Sequence, residues 1–112
     1  MLIKDKHSLE SIIEAIDRIL EYTSGIKSAD ELNEDYRNFD ATMMNFIVIG
    51  EMADKLSDNF KNHHPEIEWK KIKGFRNIVA HDYFGIDAEE VWQIILNKIP
   101  KLRTDIQNII KA

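Results

Sequence analysis

Between Arg76 and Tyr83 the chain reads Arg-Asn-Ile-Val-Ala-His-Asp-Tyr, and two of those residues could carry out chemistry together. An arginine can hold a phosphate through two parallel hydrogen bonds. A histidine can both take and give a proton near neutral pH, because its unperturbed pKa lies there. Together they suffice for phosphoryl-transfer chemistry without a metal ion. Spacing complicates the pairing: on a straight helix five residues separate Arg76 and His81 by about 140°. Either His81 lies past the end of its helix, where the chain has turned, or a second copy of the chain completes the working pair across a two-fold axis. A plainer role for His81 is that of a cationic side chain at a helix C-terminus, favourable with the helix dipole by about 0.3–1 kcal/mol.

Charge points to the same region. The 112 residues carry 15 Lys+Arg against 20 Asp+Glu, a net charge of −5, which argues weakly against nucleic-acid binding as a whole. Lys61 to Arg76 is the exception, with 5 basic and 2 acidic side chains. Lys70, Lys71 and Lys73 stand there, a local positive field that would suit an anionic ligand, or a solvated helix face. Glu51 shares a helical row with Met44, Ile47 and Val48 and is expected to face partly inward, where a carboxylate needs a partner. Arg76 or a residue of a second chain is the candidate, in a structural ion pair or as an orienting group. His63 and His64 are adjacent and point apart, so no metal site is expected. No cysteine is present, which removes disulfides, thiol nucleophiles and thiolate metal ligands and fits a reducing compartment. The start, MLIKDKHSLE, lacks the apolar stretch of a signal peptide, so a cytoplasmic location is expected.

The elements that must position these residues read as helices. Leu9, Ile12, Ile13, Ile16, Ile19 and Leu20 recur at three- and four-residue spacing, with Glu10, Glu14, Asp17, Arg18 and Glu21 opposite, and Gly25 follows as a terminator. Ser28-x-x-Glu31 reads as a capping box opening a short helix. Asp40 reads as the N-cap of a third helix running from Ala41 to about Phe60, apolar on more than one face and therefore central. Its Met43, Met44 and Met52 are assigned to the core, with Trp69 and Trp92. After His64-Pro65 a fourth helix runs from Trp69 to Ala80, with Trp69, Ile72, Phe75 and Val79 inward. Asp87 caps a fifth, whose stripe Val91, Ile95, Leu102, Ile106, Ile109 and Ile110 continues to the C-terminus through a kink at Pro100. The expected architecture is a single all-α domain over residues 1–112, an antiparallel bundle of four main helices and one short one.

The order of several blocks carries more than any one of them. Ile49-Gly50-Glu51, His64-Pro65-Glu66-Ile67-Glu68-Trp69, Gly74-Phe75-Arg76-Asn77, His81-Asp82-Tyr83, Val91-Trp92 and Ile99-Pro100 follow one another as in the HepT-like family of HEPN ribonuclease toxins. The chain resembles that family over roughly residues 5 to 110, and it keeps the motif Arg, polar, three residues, His, any, Tyr as Arg76, Asn77, His81 and Tyr83. The resemblance implies a homodimeric helical bundle that cuts RNA without a metal ion or other cofactor, the Arg and His of both subunits lining one cleft. Arg76 would bind the scissile phosphate. His81 would act as general base or acid on the ribose 2′-hydroxyl and the leaving 5′-oxygen, giving a cyclic phosphate. Asn77 would orient His81 or donate to a phosphate oxygen, and Lys70, Lys71 and Lys73 would contact the RNA backbone. The resemblance also implies an antitoxin partner like the minimal nucleotidyltransferase MntA, which transfers AMP to the motif tyrosine, here Tyr83. Without that partner Tyr83 reads as a half-buried aromatic sealing the helix end. The competing reading is a non-catalytic module that binds nucleotide or protein beside such a nucleotidyltransferase.

Overall fold

The computed structural model describes residues 1–112 and is helical throughout, with no strand. Seven helices follow in order: α1 (Ile3–Thr23), α2 (Ala29–Glu34), α3 (Tyr36–Lys55), α4 (Asp58–His63), α5 (Trp69–His81), α6 (Ala88–Asn97) and α7 (Ile99–Lys111). A 3₁₀ turn at Tyr83–Gly85 joins α5 to α6. The all-α bundle expected from the periodicity is the fold observed.

Helix α3 lies between α1 and α5, which explains why its apolar residues cover more than one face. Leu9, Ile12, Ile16 and Ile19 of α1 are each at most 1% exposed and meet Met43, Phe46, Ile49 and Ala53 of α3 in one connected core. Val79 of α5, Val91 and Ile95 of α6, and Ile99 and Ile106 of α7 complete it. Burying each such side chain contributes about 1.5–3 kcal/mol, so this apolar seam is what holds α5 in place.

Caps set the boundaries, and three differ from the expected ones. The Ser28 hydroxyl accepts from the Glu31 N–H at 3.1 Å, as in a capping box, while the Glu31 carboxylate reaches one residue beyond the cap and accepts from the Lys27 N–H at 2.7 Å. The third helix, however, begins five residues before Ala41, because Asp35 rather than Asp40 is its cap: Asp35 accepts from the Asn38 N–H at 3.2 Å. It also ends before Phe60. The chain turns extended at Leu56 and Ser57, and the Ser57 hydroxyl caps the separate short helix α4. Pro100 does not kink one long helix. α6 stops at Asn97 and α7 starts at Ile99, with Pro100 in the first turn, where its missing N–H has no intrahelical partner to lose.

Two side chains face differently from expectation. Met44 is 59% exposed while Met43 is buried, because α3 presents only one side to α1 and another to α5. Glu51 lies at the solvent edge of the α3–α5 contact instead of partly inside. Trp69 and Trp92 are half-buried against the core, and the Trp69 indole N–H donates to the His64 carbonyl at 3.0 Å.

Candidate active site

The site is built where α5 crosses α3, and Gly50 permits the approach. A Cβ at position 50 would collide with the Cβ and Cγ of Arg76, so only glycine lets that side chain pass over α3. Arg76 is 9% exposed although charged, and a buried guanidinium must have its N–H groups satisfied. Its NH1 donates to Glu51 at 2.7 Å, its NH2 to Asp54 at 2.7 Å, and its Nε to the Asn77 side-chain carbonyl at 3.0 Å. The Asp54 hydrogen bond acts most strongly, with Glu51 adding to it, and together they hold the Arg76 pKa above its ordinary value against the opposing effect of desolvation. With two carboxylates on one guanidinium, the cluster carries a net charge of −1.

Asn77 is thus placed on Arg76, its immediate neighbour. Glu51 meets Arg76, the partner considered for it from sequence. Asp54 was not singled out from the sequence, although it lies three residues after Glu51 on α3 and so shares its face. That spacing, read together with Gly50, was the available signal.

His81 is the last residue of α5 and is exposed. Because the helix continues through it, the first of the two sequence alternatives falls away. Arg76 and His81 leave one regular helix about 140° apart and about 7.5 Å apart along its axis. Helical geometry also puts Lys70, Asn77 and His81 on one row of α5, all exposed, with Gly74 between them and open space where its side chain would be. Lys73 is exposed beside that row, while Lys71 is tied to Glu68 at 2.7 Å.

Beyond the helix end the Tyr83 hydroxyl donates to the Asp40 carboxylate, so the residue expected to cap α3 instead receives the motif tyrosine. Phe39 and Phe84 meet the Tyr83 ring edge-on, at 6.0 and 5.9 Å between centroids. Burial raises the Tyr83 pKa well above the usual phenol value, and the hydrogen bond and negative charge of Asp40 raise it further. Phe84 itself is fully exposed. A separate apolar cavity of about 410 Å³ opens on the other flank of α5, among Phe46, Ile49, Ile72, Phe75 and Ile78, and contains none of the motif side chains. No group of three or more histidine, aspartate or glutamate side chains is placed to hold a metal ion. No helix is long and apolar enough to cross a membrane.

An all-helical bundle that holds an arginine in a carboxylate clamp, with an exposed histidine five residues later, defines a candidate phosphodiesterase site of the HEPN kind. The sequence pattern of the family described as "Ribonuclease HepT-like" matches residues 12–109, and the chain belongs to that family. It is 34% identical over 106 residues to "Probable ribonuclease HepT" of Thermococcus cleftensis, covering 95% of this chain and 96% of that one. It is also 34% identical to "Putative RNase MJ0127" of Methanocaldococcus jannaschii, over 92% of this chain and 84% of the relative. A third relative, "Putative RNase TTE0752" of Caldanaerobacter subterraneus, is 29% identical over 92% of this chain and 91% of its own. No solved structure matches.

Proposed function

We propose that the chain is a metal-independent endoribonuclease, the toxin of a toxin–antitoxin pair, and that it works as a homodimer in the cytoplasm. The observation that carries this reading is an intact motif in a HepT-like chain, Arg76-Asn77…His81 on α5 and Tyr83 in the turn after it, with His81 exposed at the helix end. Arg76 binds the scissile phosphate through its guanidinium. A neutral His81 takes the proton of the ribose 2′-hydroxyl, whose oxygen then bonds to phosphorus. The bond from phosphorus to the 5′-oxygen breaks, and the same His81, now protonated, gives that oxygen its proton. The products are a 2′,3′-cyclic phosphate and a free 5′-hydroxyl. Asn77 holds Arg76 through its Nε, and Lys70 and Lys73, with Lys71 once it leaves Glu68, line the RNA backbone.

The divergence of Arg76 and His81 on one straight helix is what favours a site made by two chains. The same cleft explains the antitoxin role of an MntA-like nucleotidyltransferase. AMP placed on Tyr83, two residues from His81, sets an anionic phosphodiester and a bulky nucleoside against RNA.

Cleavage of total cellular RNA in excess EDTA, run beside His81→Ala with end-group analysis, tests this reading. Expected are cyclic phosphate ends that persist under chelation and vanish in the variant. Absence of cleavage by a folded, unmodified dimer would favour the non-catalytic binding partner, a reading to which the neutralised Arg76 lends support. On co-expression with a neighbouring nucleotidyltransferase, Tyr83 is expected to gain the mass of one or more AMP units. Neutralisation without a mass change would mean simple complex formation.

A further inference from the structure

Two carboxylates clamp Arg76 where one would neutralise it, and they are not equivalent. Glu51 is 53% exposed and Asp54 37%, at the same 2.7 Å from the guanidinium. Glu51 also has one more rotatable bond, so it can swing into water while its backbone stays fixed on α3. A phosphodiester reaching Arg76 with both carboxylates in place would make three anions around one cation, and like charges so close repel strongly. One partner must leave, and the more exposed and more flexible one is Glu51. If both left, nothing but Asn77 would aim the guanidinium.

We propose that Asp54 is a positioning residue that keeps Arg76 aimed throughout, whereas Glu51 is a displaceable shield whose place on the guanidinium the RNA phosphate takes. Arg76 is thereby neutralised while the site is empty and released only to an anion that outcompetes a carboxylate. Asp54 never touches the substrate and acts through Arg76. The inference rests on the ribonuclease reading above and deepens it.

The two carboxylates should respond in opposite ways when each is made neutral. Glu51→Gln is expected to bind a 2′-O-methyl RNA, which cannot be cleaved, about 3- to 10-fold more tightly than the unmutated chain, the effect of removing one like charge from the site. Asp54→Asn is expected to lower kcat by about tenfold or more in cleavage of unmodified RNA, with Asp54→Glu recovering part of it. Urea unfolding of all three variants separates these effects from folding, since a purely structural clamp would move stability but not split affinity from kcat. A Glu51→Gln variant that binds the uncleavable RNA no more tightly than the unmutated chain would overturn the inference, as would an Asp54→Asn variant cutting within twofold of the unmutated rate. An unmutated chain that neither cuts nor binds RNA would instead remove the ribonuclease reading, and this inference with it.

Discussion

Two places in this bundle tie distant segments together through a buried charged side chain, and they are completed differently. At one end of α1, Asp5 is 1% exposed and accepts from the Ser57 N–H at 2.9 Å and the Ser57 hydroxyl at 2.7 Å. Each donor there has its acceptor, and the contact does no more than fasten α1 to the cap of α4. Between α3 and α5, Arg76 has two carboxylates at its terminal nitrogens and an open rim beyond them. A polar joint whose partners balance is a fastening. One that carries a surplus charge at the surface is poised to exchange a partner, which is what a binding site does. Substitutions at the first should therefore disturb folding, and those around the second should disturb activity.

The largest effect is expected at the exposed end of the site. His81→Ala should lower RNA cleavage by about 10²- to 10⁴-fold, the usual contribution of a general acid or base, while urea unfolding moves by less than about 0.5 kcal/mol because the side chain is exposed. A loss of stability in step with activity would dissolve the distinction between the two joints.

Asp5→Ala is the converse. Leaving the Ser57 donors without their carboxylate should cost about 1–3 kcal/mol in urea unfolding, with cleavage per folded molecule unaltered. Acid sharpens this contrast. Burial pushes the Asp5 pKa up, but the Ser57 hydrogen bonds outweigh it, with help from Lys4, and the net direction is down. A carboxylate lowered in the folded state contributes stability that is present above its unfolded value of about 3.9 and is lost as pH falls through the folded value. The unmutated chain should therefore lose stability more steeply below about pH 4 than Asp5→Asn does.

Gly50→Ala should cost about 1–3 kcal/mol through the forced shift of Arg76, and it should be the substitution that disturbs folding and activity together, because it sits under the clamp. The smallest effect concerns Tyr83. Its raised pKa keeps the phenol protonated in the folded chain, so its contribution is intact below the unfolded value of about 10 and is lost as pH rises through the folded one. Between pH 9 and 11 the unmutated chain should lose more urea resistance than Tyr83→Phe.

Much of this was legible in the sequence because helical periodicity survives averaging over several turns. The α1 stripe from Leu9 to Ile19 and the inward row of α5 were readable for that reason. Boundaries were not, because caps compete locally. Asp35 and Asp40 are both good caps, and the earlier one wins by bonding Asn38, which frees Asp40 for Tyr83. Pro100 was read as a kink because its stripe continues on both sides, yet a proline fits a first turn better than an interior. Asp54 was missed because its three-residue spacing from Glu51 shows only a shared face, and what that face meets, Arg76 lying over Gly50, is a tertiary contact.

Arg76 and His81, directed apart by one helix, are expected to work together only when two chains meet. The most direct test mixes purified Arg76→Ala and His81→Ala proteins, each inactive alone, after dissociation and reassociation. With a site that takes Arg76 from one subunit and His81 from the other, half the molecules at equal mixing are heterodimers with one intact site. About a quarter of the unmutated cleavage activity should then return, by the same symmetry. A mixture that exchanges subunits, as mass measurement would establish, and yet stays inactive would contradict the claim and place both residues in a single-chain site.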